Sequence, residues 1–217
     1  MNNLRILHLN DLHSHLEKFP VIERFFAEKS AEVSQVADVL RFDLGDHVDR
    51  VHPLTEATHG QINVALMNQL DLTAATIGNN EGLGLTHEML SHLYDEAHFP
   101  VLLSNLKTNF AQGPMIFETS FGLRVGVIGL TAPYPKAYPL AGWEVLDPFE
   151  VLDELLPLAC DFTILLSHLG KNVDEKIAVR YPIDLIIGAH THHLFEHGAS
   201  SHGTLLAAAG KYGQHVG

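Results

Sequence analysis

Short apolar segments that end in polar residues recur along this chain, and they constrain its fold more than any other feature. Strand-like segments alternate with segments whose apolar residues repeat at helical spacing. This alternation predicts an α/β layered domain with a mainly parallel central sheet. Strands are predicted at residues 4–10, 39–44, 72–77, 101–104, 162–167, 185–187 and 204–208. Helices are predicted at residues 19–36, 61–70, 86–97, 149–158 and 173–180, and a hairpin at 115–121 and 123–130.

The bulk properties fit one folded domain. A chain of 217 residues with 46% hydrophobic residues can bury a sizeable core. No apolar run approaches the ~18 residues that a membrane span requires, which predicts no membrane partner. The first residues lack the charged, apolar and cleavage regions of a signal peptide, which predicts a cytoplasmic protein. The single cysteine, Cys160, excludes an intramolecular disulfide.

The charge limits the partners of the protein. A net charge of −13 argues against duplex nucleic acid as a partner. It permits a small phosphorylated substrate, because bound metal ions can reverse the local sign. The chain also has 16 histidines against 13 lysines and arginines together, an excess that suits metal binding if histidines fall at ligand positions.

Polar clusters follow five of the predicted strands. Ligands of open α/β sheets bind beyond the carboxyl ends of strands, so these clusters are expected to share one crevice. Asp11 and His13 are two residues apart in extended chain, and their side chains therefore point to one side and can chelate one ion. Each cluster alone is as compatible with a turn or a hydrogen-bonded structural residue. The candidate ligands are Asp11, His13, Asp46, Asn79, His168, His190 and His192.

Taken together, these side chains form a metal-binding set. Two carboxylates, one amide oxygen and four imidazoles make the mixed nitrogen and oxygen set that Zn²⁺, Mn²⁺ or Fe²⁺ accepts. Seven ligands serve two divalent ions only if one carboxylate bridges them. Asp46, which follows Gly45 at the end of its strand, is the natural bridge.

The order of the clusters resembles the signature of the calcineurin-like metallophosphoesterases. The motifs are Asp-x-His, Gly-Asp, Gly-Asn, His and a final Gly-x-His-x-His at residues 188–192. The 5′-nucleotidase branch of that family is similar at residues 6–13, 64–68, 99–102 with Asn105, and 209–213. The resemblance covers nearly the whole chain. It implies a four-layer α-β-β-α sandwich with mixed, largely parallel sheets.

The resemblance also implies a division of the ligands between two ions. Asp11, His13, Asp46 and His192 would hold the first, and Asp46, Asn79, His168 and His190 the second. His8 and Asp43 are expected to orient the ligands, since metal ligands usually need supporting partners. Two such ions activate a water and clamp the phosphoryl oxygens, so no protein nucleophile is required. The remaining histidines near the motifs are expected to be surface or supporting groups: His15, His47, His52, His87 and His193.

One position departs from the family pattern. The third motif usually contains a histidine that assists the leaving group, and this chain has Asn80 in that place. Leu83 stands where the nucleotidase branch often has an aspartate that supports the histidine. Asn80 can donate a hydrogen bond to a phosphoryl oxygen but cannot transfer a proton, which predicts slower turnover of poor leaving groups. Asn80 and His168 are the candidate catalytic residues.

The sequence therefore predicts a dinuclear metal-dependent hydrolase of phosphate esters, with nucleotides as substrates. Two alternatives stay open: a phosphodiesterase or nucleotide-sugar pyrophosphatase, and a metal- or nucleotide-binding module with impaired catalysis. Residues 1–217 are expected to form one catalytic domain, trimmed before a C-terminal substrate-binding domain that acts in cis.

Overall fold

The computed structural model describes residues 3–33 and 37–217, in which two β-sheets lie between outer layers of helices. The strands are β1 (Asn3–Leu9), β2 (Ala37–Asp43), β3 (Ala74–Ala75), β4 (Leu106–Lys107), β5 (Met115–Glu118), β6 (Arg124–Thr131), β7 (Glu144–Val145), β8 (Phe162–His168), β9 (Leu185–Gly188), β10 (Ala199–Ser201) and β11 (Thr204–Ala207). The helices are α1 (Phe19–Ala31), α2 (Pro53–Ala57), α3 (Gln61–Met67), α4 (Asn79–Gly84), α5 (His87–Leu93), α6 (Pro148–Leu155) and α7 (Lys171–Arg180). Short 3-10 turns occupy Leu16–Lys18, Asn68–Leu70 and Pro139–Ala141.

The two sheets are mostly parallel. The smaller has three parallel strands in the order β1-β2-β3. The larger has six strands in the order β10-β11-β9-β8-β6-β5, and only its edge strands β10 and β5 run antiparallel to their neighbours. The short strands β4 and β7 form a separate antiparallel pair. Because neighbouring parallel strands end at the same edge of a sheet, β1 ends beside β2, and β8 ends beside β9. Ligands of such sheets bind beyond these carboxyl ends.

Side-chain alternation along the strands builds three apolar layers. In β8, Ile164 and Leu166 pack between the two sheets while Leu165 packs under the outer helices. Phe42 of β2, in the smaller sheet, packs in the same layer as Ile164 and Leu166. Phe26 of α1 belongs to the third layer, which covers the other face of that sheet. These layers confirm the predicted four-layer α-β-β-α sandwich.

Most predicted elements are present with shorter bounds. The helix expected at 86–97 begins as predicted after Thr86, whose side chain accepts a hydrogen bond from the backbone N–H of Met89 at 3.2 Å, and it ends at Leu93. The helix expected at 149–158 ends at Leu155, before Pro157, which cannot continue a helix. The last part of the helix expected at 19–36 lies outside the described residues.

The strand predicted at residues 101–104 is wrong. Val101 and Leu102 make only isolated bridges, to Ala75 and Gln112. The backbone N–H of Ser104 donates instead to the carbonyl of Gly129 in the larger sheet at 2.8 Å. Because its hydrogen bonds go to three different segments, the stretch forms no continuous ladder.

Helix α4 was not expected, because the glycine- and asparagine-rich segment 78–82 is typical of a turn. The side chain of Glu81 accepts a hydrogen bond from the backbone N–H of Gly78 at 2.8 Å, the contact that begins many helices. Within the described part of the chain, no helix is long and apolar enough to cross a membrane.

Candidate metal centre

The predicted ligands converge at the carboxyl ends of the strands, and the backbone that carries them is unusual. Five of the seven lie at positive φ: Asp11 (51°), His13 (49°), Asp46 (50°), His190 (70°) and His192 (55°). Residues other than glycine rarely adopt this left-handed conformation, and when they do it is often at functional sites. The clustering marks this edge of the molecule as the site.

Hydrogen bonds between the loops hold this backbone in place. The N–H of Asp11 donates to the carbonyl of Gly45 at 3.1 Å, and the N–H of His13 donates to that of Asp46 at 2.8 Å. The side-chain amide of Asn10 donates to Asp11 Oδ2 at 2.8 Å and to the carbonyl of Gly210 at 2.7 Å. The loops after β1, β2 and β11 therefore form one hydrogen-bonded unit.

The first group of side chains comprises Asp11, His13 and His192. Nε2 of His13 lies 3.3 Å from Nε2 of His192 and 3.9 Å from Oδ1 of Asp11. Nε2 of His192 lies 3.5 Å from the same carboxylate oxygen. Their ligand atoms are close enough together to bind one ion.

The second group comprises Asp46, His168 and His190. Nε2 of His168 lies 3.4 Å from Oδ2 of Asp46. Nδ1 of His168 contacts the carbonyl of Leu44 at 2.7 Å, and it must be the donor because a carbonyl only accepts. Nε2, the other ring nitrogen of His168, therefore faces the centre.

Asp46 belongs to the second group but also faces the first. Its Oδ2 is 3.7 Å from His13 Nε2 in the first group, besides the contact with His168 in the second. Oδ1 of Asp46 accepts a hydrogen bond from the backbone N–H of Asn80 at 2.8 Å, which fixes the carboxylate. This placement suits the bridging role predicted for Asp46.

Two buried polar atoms support the fit to metal ions. Nε2 of His168 and Oδ1 of Asn79 are buried without a hydrogen-bond partner. A buried polar atom without a partner costs about 1–3 kcal/mol, so each such atom requires an explanation. An imidazole nitrogen and an amide oxygen are donors that divalent ions bind, and both belong to the predicted second set.

The protonation of the histidines also fits. Burial lowers the pKa of His190, and burial lowers the pKa of His192 to about 4, so both are neutral near pH 7. Burial alone would lower the pKa of His168, but the Asp46 and Asp11 carboxylates outweigh it and raise this pKa to about 9. Burial raises the pKa of Asp11, whereas the pKa of Asp46 is lowered because His168 outweighs its burial. Carboxylates that attract a proton to His168 would equally attract a cation.

Glu81 is a supporting residue that the sequence did not single out. Its buried carboxylate accepts hydrogen bonds from the backbone N–H groups of Asp46 at 2.9 Å, Val48 at 2.8 Å and Gly78 at 2.8 Å. It thus ties the loop after β2 to the first turn of α4. The spacing of Gly78 and Glu81 was the available signal, since an acidic residue at the third position of a helix often caps it.

The two predicted orienting residues differ in position. Asp43 accepts from the backbone N–H of Gly45 at 3.0 Å and contacts Nδ1 of His47 at 2.9 Å, so it supports the loop that carries Asp46. His8 lies elsewhere, where its backbone pairs with Gly217 in both directions at 2.9 and 3.0 Å. The buried Nδ1 of its side chain has no hydrogen-bond partner, so this atom does not make the expected contact with a ligand.

Asn80 lies beside the first group. Its side-chain nitrogen is 2.9 Å from Nδ1 of His13 and 3.3 Å from Oδ2 of Asp49. Its side-chain oxygen accepts from the amide of Asn79 at 3.3 Å. Leu83, at the position of the family's supporting aspartate, packs against the hydrophobic core.

The other histidines near the motifs mostly have structural contacts. His47 is buried against Asp43, His52 accepts from the backbone N–H of Leu54 at the start of α2, and His87 stacks on Trp143 at 4.0 Å. His15 is half-buried and contacts Glu17 and Tyr212. His193 is half-buried beside Phe195 and Thr191.

Comparison with known proteins agrees with this geometry. The model of the calcineurin-like phosphoesterase family matches residues 4–194. The metallophosphoesterase YunD of Bacillus subtilis is 44% identical over 99% of this chain and 49% of its own length. The bovine 5′-nucleotidase is 28% identical over 87% of this chain and 38% of its own. The chain thus spans half or less of the length of these relatives.

Solved structures share the fold. The NAD nucleotidase of Haemophilus influenzae superposes with a TM-score of 0.83 at 20% identity, over 99% of this chain and 46% of its own. The 5′-nucleotidase precursor of Thermus thermophilus superposes with a TM-score of 0.77 at 24% identity, over 98% and 50%. These likenesses concern the fold alone.

The fold and the site define a metallophosphoesterase domain, and the chain belongs to the calcineurin-like phosphoesterase family. This membership confirms the predicted class, the metal-dependent phosphoester hydrolases. The curated relatives include several 5′-nucleotidases, in agreement with the branch that the motifs resembled.

Proposed function

We propose that this chain is a dinuclear metal-dependent hydrolase of phosphate esters, acting on nucleotides. The observation that carries the proposal is the pair of three-residue groups, in which Asp46 of the second group also lies 3.7 Å from His13 of the first. Asp11, His13, Asp46 and His192 would hold the first ion, and Asp46, Asn79, His168 and His190 the second. Two ions in such a site supply an activated water and stabilise the charge that develops on the phosphoryl oxygens.

The residues of the chain prepare the site in two ways. His190 and His192 are neutral near pH 7 and present free lone pairs. Glu81 and Asn80 fix the backbone and the carboxylate of Asp46 through hydrogen bonds. Preorganised ligands of this kind lower the reorganisation that the reaction needs.

A second candidate, hydrolysis of diesters or anhydrides such as nucleotide sugars, is favoured by Asn80. An amide cannot protonate a leaving alkoxide, and diesters or anhydrides with better leaving groups need no proton. Both ends of this amide also have partners in Asn79 and Asp49.

We further propose that the natural protein is longer and that its remaining part binds the base of the nucleotide. The relatives support this, since the chain spans 49% of YunD and 38% of the bovine 5′-nucleotidase. On this proposal, residues 1–217 supply the metal chemistry, and the remaining part supplies most of the specificity.

The test is hydrolysis by the purified chain after loading with Mn²⁺ or Zn²⁺. We expect an aryl phosphate to be cleaved, the activity to disappear with a chelator, and nucleotides to be cleaved less well than by the longer protein. A panel of monophosphates, cyclic diesters and nucleotide sugars then separates the two candidate functions. If two ions bind but no phosphate ester or anhydride is cleaved, the protein is a binding module and the proposal is wrong.

A further inference from the structure

Asp49 lies in the loop between Asp46 and α2, and its carboxylate faces the first group. Its Oδ2 is 3.2 Å from Nδ1 of His13, and its side chain is 24% exposed. The backbone N–H of Asp49 donates to Ser14 Oγ at 2.7 Å, and its Oδ1 accepts from the backbone N–H of Val51 at 3.1 Å. The position of this carboxylate is therefore set from both sides.

Ser14, which follows His13 in the chain, anchors this arrangement. Besides the contact with Asp49, its buried Oγ accepts from Asn63 Nδ2 and contacts Thr55 Oγ1, each at 3.0 Å. The Ser14 hydroxyl thus links the segment that carries His13 to Asp49, which faces the His13 ring. The distance between His13 and Asp49 follows from this shared contact.

The contact with Asp49 has a consequence for the form of the imidazole. A neutral imidazole carries one N–H, and a metal ion needs the other nitrogen. An ionised carboxylate only accepts hydrogen bonds, so it favours the form of His13 with the proton on Nδ1. In that form, the free lone pair of Nε2 faces Asp11, Asp46 and His192.

Asn80 favours the opposite form. Its Nδ2 is a donor and lies 2.9 Å from the same Nδ1, where it would bond only to an unprotonated nitrogen. The side-chain oxygen of Asn80 accepts a hydrogen bond from the side-chain amide of Asn79 at 3.3 Å, and this contact orients the Asn80 amide. Asp49 offers Asn80 another acceptor at 3.3 Å and so relieves the competition.

We propose that Asp49 is a positioning residue of the metal centre, which holds His13 in the form that binds the first ion. The inference rests on the proposed dinuclear centre and adds a supporting carboxylate to it. His168 has a backbone carbonyl in the corresponding place, whereas His13 depends on a side chain that can be replaced.

The experiment compares Zn²⁺ binding to the wild-type chain and to Asp49→Asn by calorimetric titration. Asparagine keeps the size of the side chain but can donate to Nδ1, which leaves the proton on Nε2. Loss of a supporting partner typically weakens metal binding by about 10- to 100-fold. We expect Asp49→Asn to lose affinity by this factor for the first ion and to keep the affinity for the second. Glu17→Gln is the matched control, since Glu17 contacts Nδ1 of His15, a histidine outside both groups, at 3.1 Å.

A second readout reports the form of the imidazole directly. In the zinc-loaded wild type, the ¹⁵N resonances of His13 should show a protonated Nδ1, and this signature should be lost in Asp49→Asn but kept in Glu17→Gln. Equal affinity of all three proteins for both ions would overturn the inference. So would a loss of both ions together with a lower melting temperature of metal-free Asp49→Asn, because the role would then be structural. If the wild type binds no zinc, the dinuclear centre itself is wrong, which is a distinct result.

Discussion

His168 in the second group and His13 in the first are both predicted ligands, but different parts of the molecule hold them. His168 is fully buried, and its Nδ1 donates to the backbone carbonyl of Leu44 at the end of β2. His13 is 13% exposed, and its Nδ1 faces the side chains of Asp49 and Asn80. The packing of the two sheets thus fixes the second site, whereas replaceable side chains shape the first.

The difference between the two sites can be tested at Asp46, which belongs to the second group and also faces the first. Asp46→Asn should lower the affinity for both proposed ions, whereas His192→Ala should mainly abolish binding of the first. Because two such ions would contribute several kcal/mol to stabilising the transition state, Asp46→Asn should reduce hydrolysis by more than about a hundredfold. Metal content and the rate with an aryl phosphate are the measurements.

The control for that comparison is Asp95→Asn, which removes a carboxylate 2.8 Å from His92 on the surface. It should keep both ions and full activity. Equal and mild loss of metal in Asp46→Asn and His192→Ala would contradict the bridging role of Asp46.

The two proposed sites should also differ in how their metal affinity depends on pH. With its pKa near 9, His168 must release a proton when an ion binds below that pH, so second-site affinity should rise by about tenfold per pH unit up to about pH 9. His192, with a pKa near 4, releases none above that value and adds no such slope to the first site.

Calorimetry in buffers of different ionisation enthalpy counts the released protons. The His192→Ala variant isolates the second site, and between pH 6 and pH 8 it should release about one proton for each ion bound. The prediction is wrong if binding to this variant is independent of pH in that range.

The smallest expected effect concerns Asn80. Asn80→His should raise the rate for a nucleoside monophosphate relative to an aryl phosphate by about tenfold, since proton delivery worth ~1.4 kcal/mol helps only the poor leaving group. Asp49 already offers a carboxylate 3.3 Å from the side chain at position 80. Leu83→Asp is therefore unnecessary, and it would put a charge against the core.

The measurement is the ratio of kcat/KM for the two substrates, with metal content determined for each variant. Asn80→Gln serves as the control, because it changes the length of the side chain without adding a titratable group. A ratio that stays constant while both ions remain bound would favour diester or anhydride substrates.

The sequence predicted the layers of the fold and the side chains near the centre because both depend on local patterns. Asp11 with His13, and His190 with His192, are close in the chain and follow apolar strands, so their spacing was informative. The ligand roles themselves stay predictions.

Contacts between distant segments were not predictable in the same way. Asp49 reads as an ordinary loop residue, and only folding brings it to His13, 36 positions earlier. Residues 101–104 have the composition of a strand, but their hydrogen bonds go to three segments that no local pattern identifies.

The left-handed backbone at the predicted ligands limits which metal sites this fold can evolve. Among residues other than glycine, asparagine, aspartate and histidine tolerate positive φ best. Asp11, His13 and Asp46 satisfy both this conformational demand and the chemical demand of a borderline ion. Replacing them by cysteine or glutamate, to recruit a softer or harder metal, would add backbone strain at each position. Adaptation to a new metal is therefore expected to occur through the residues around the ligands.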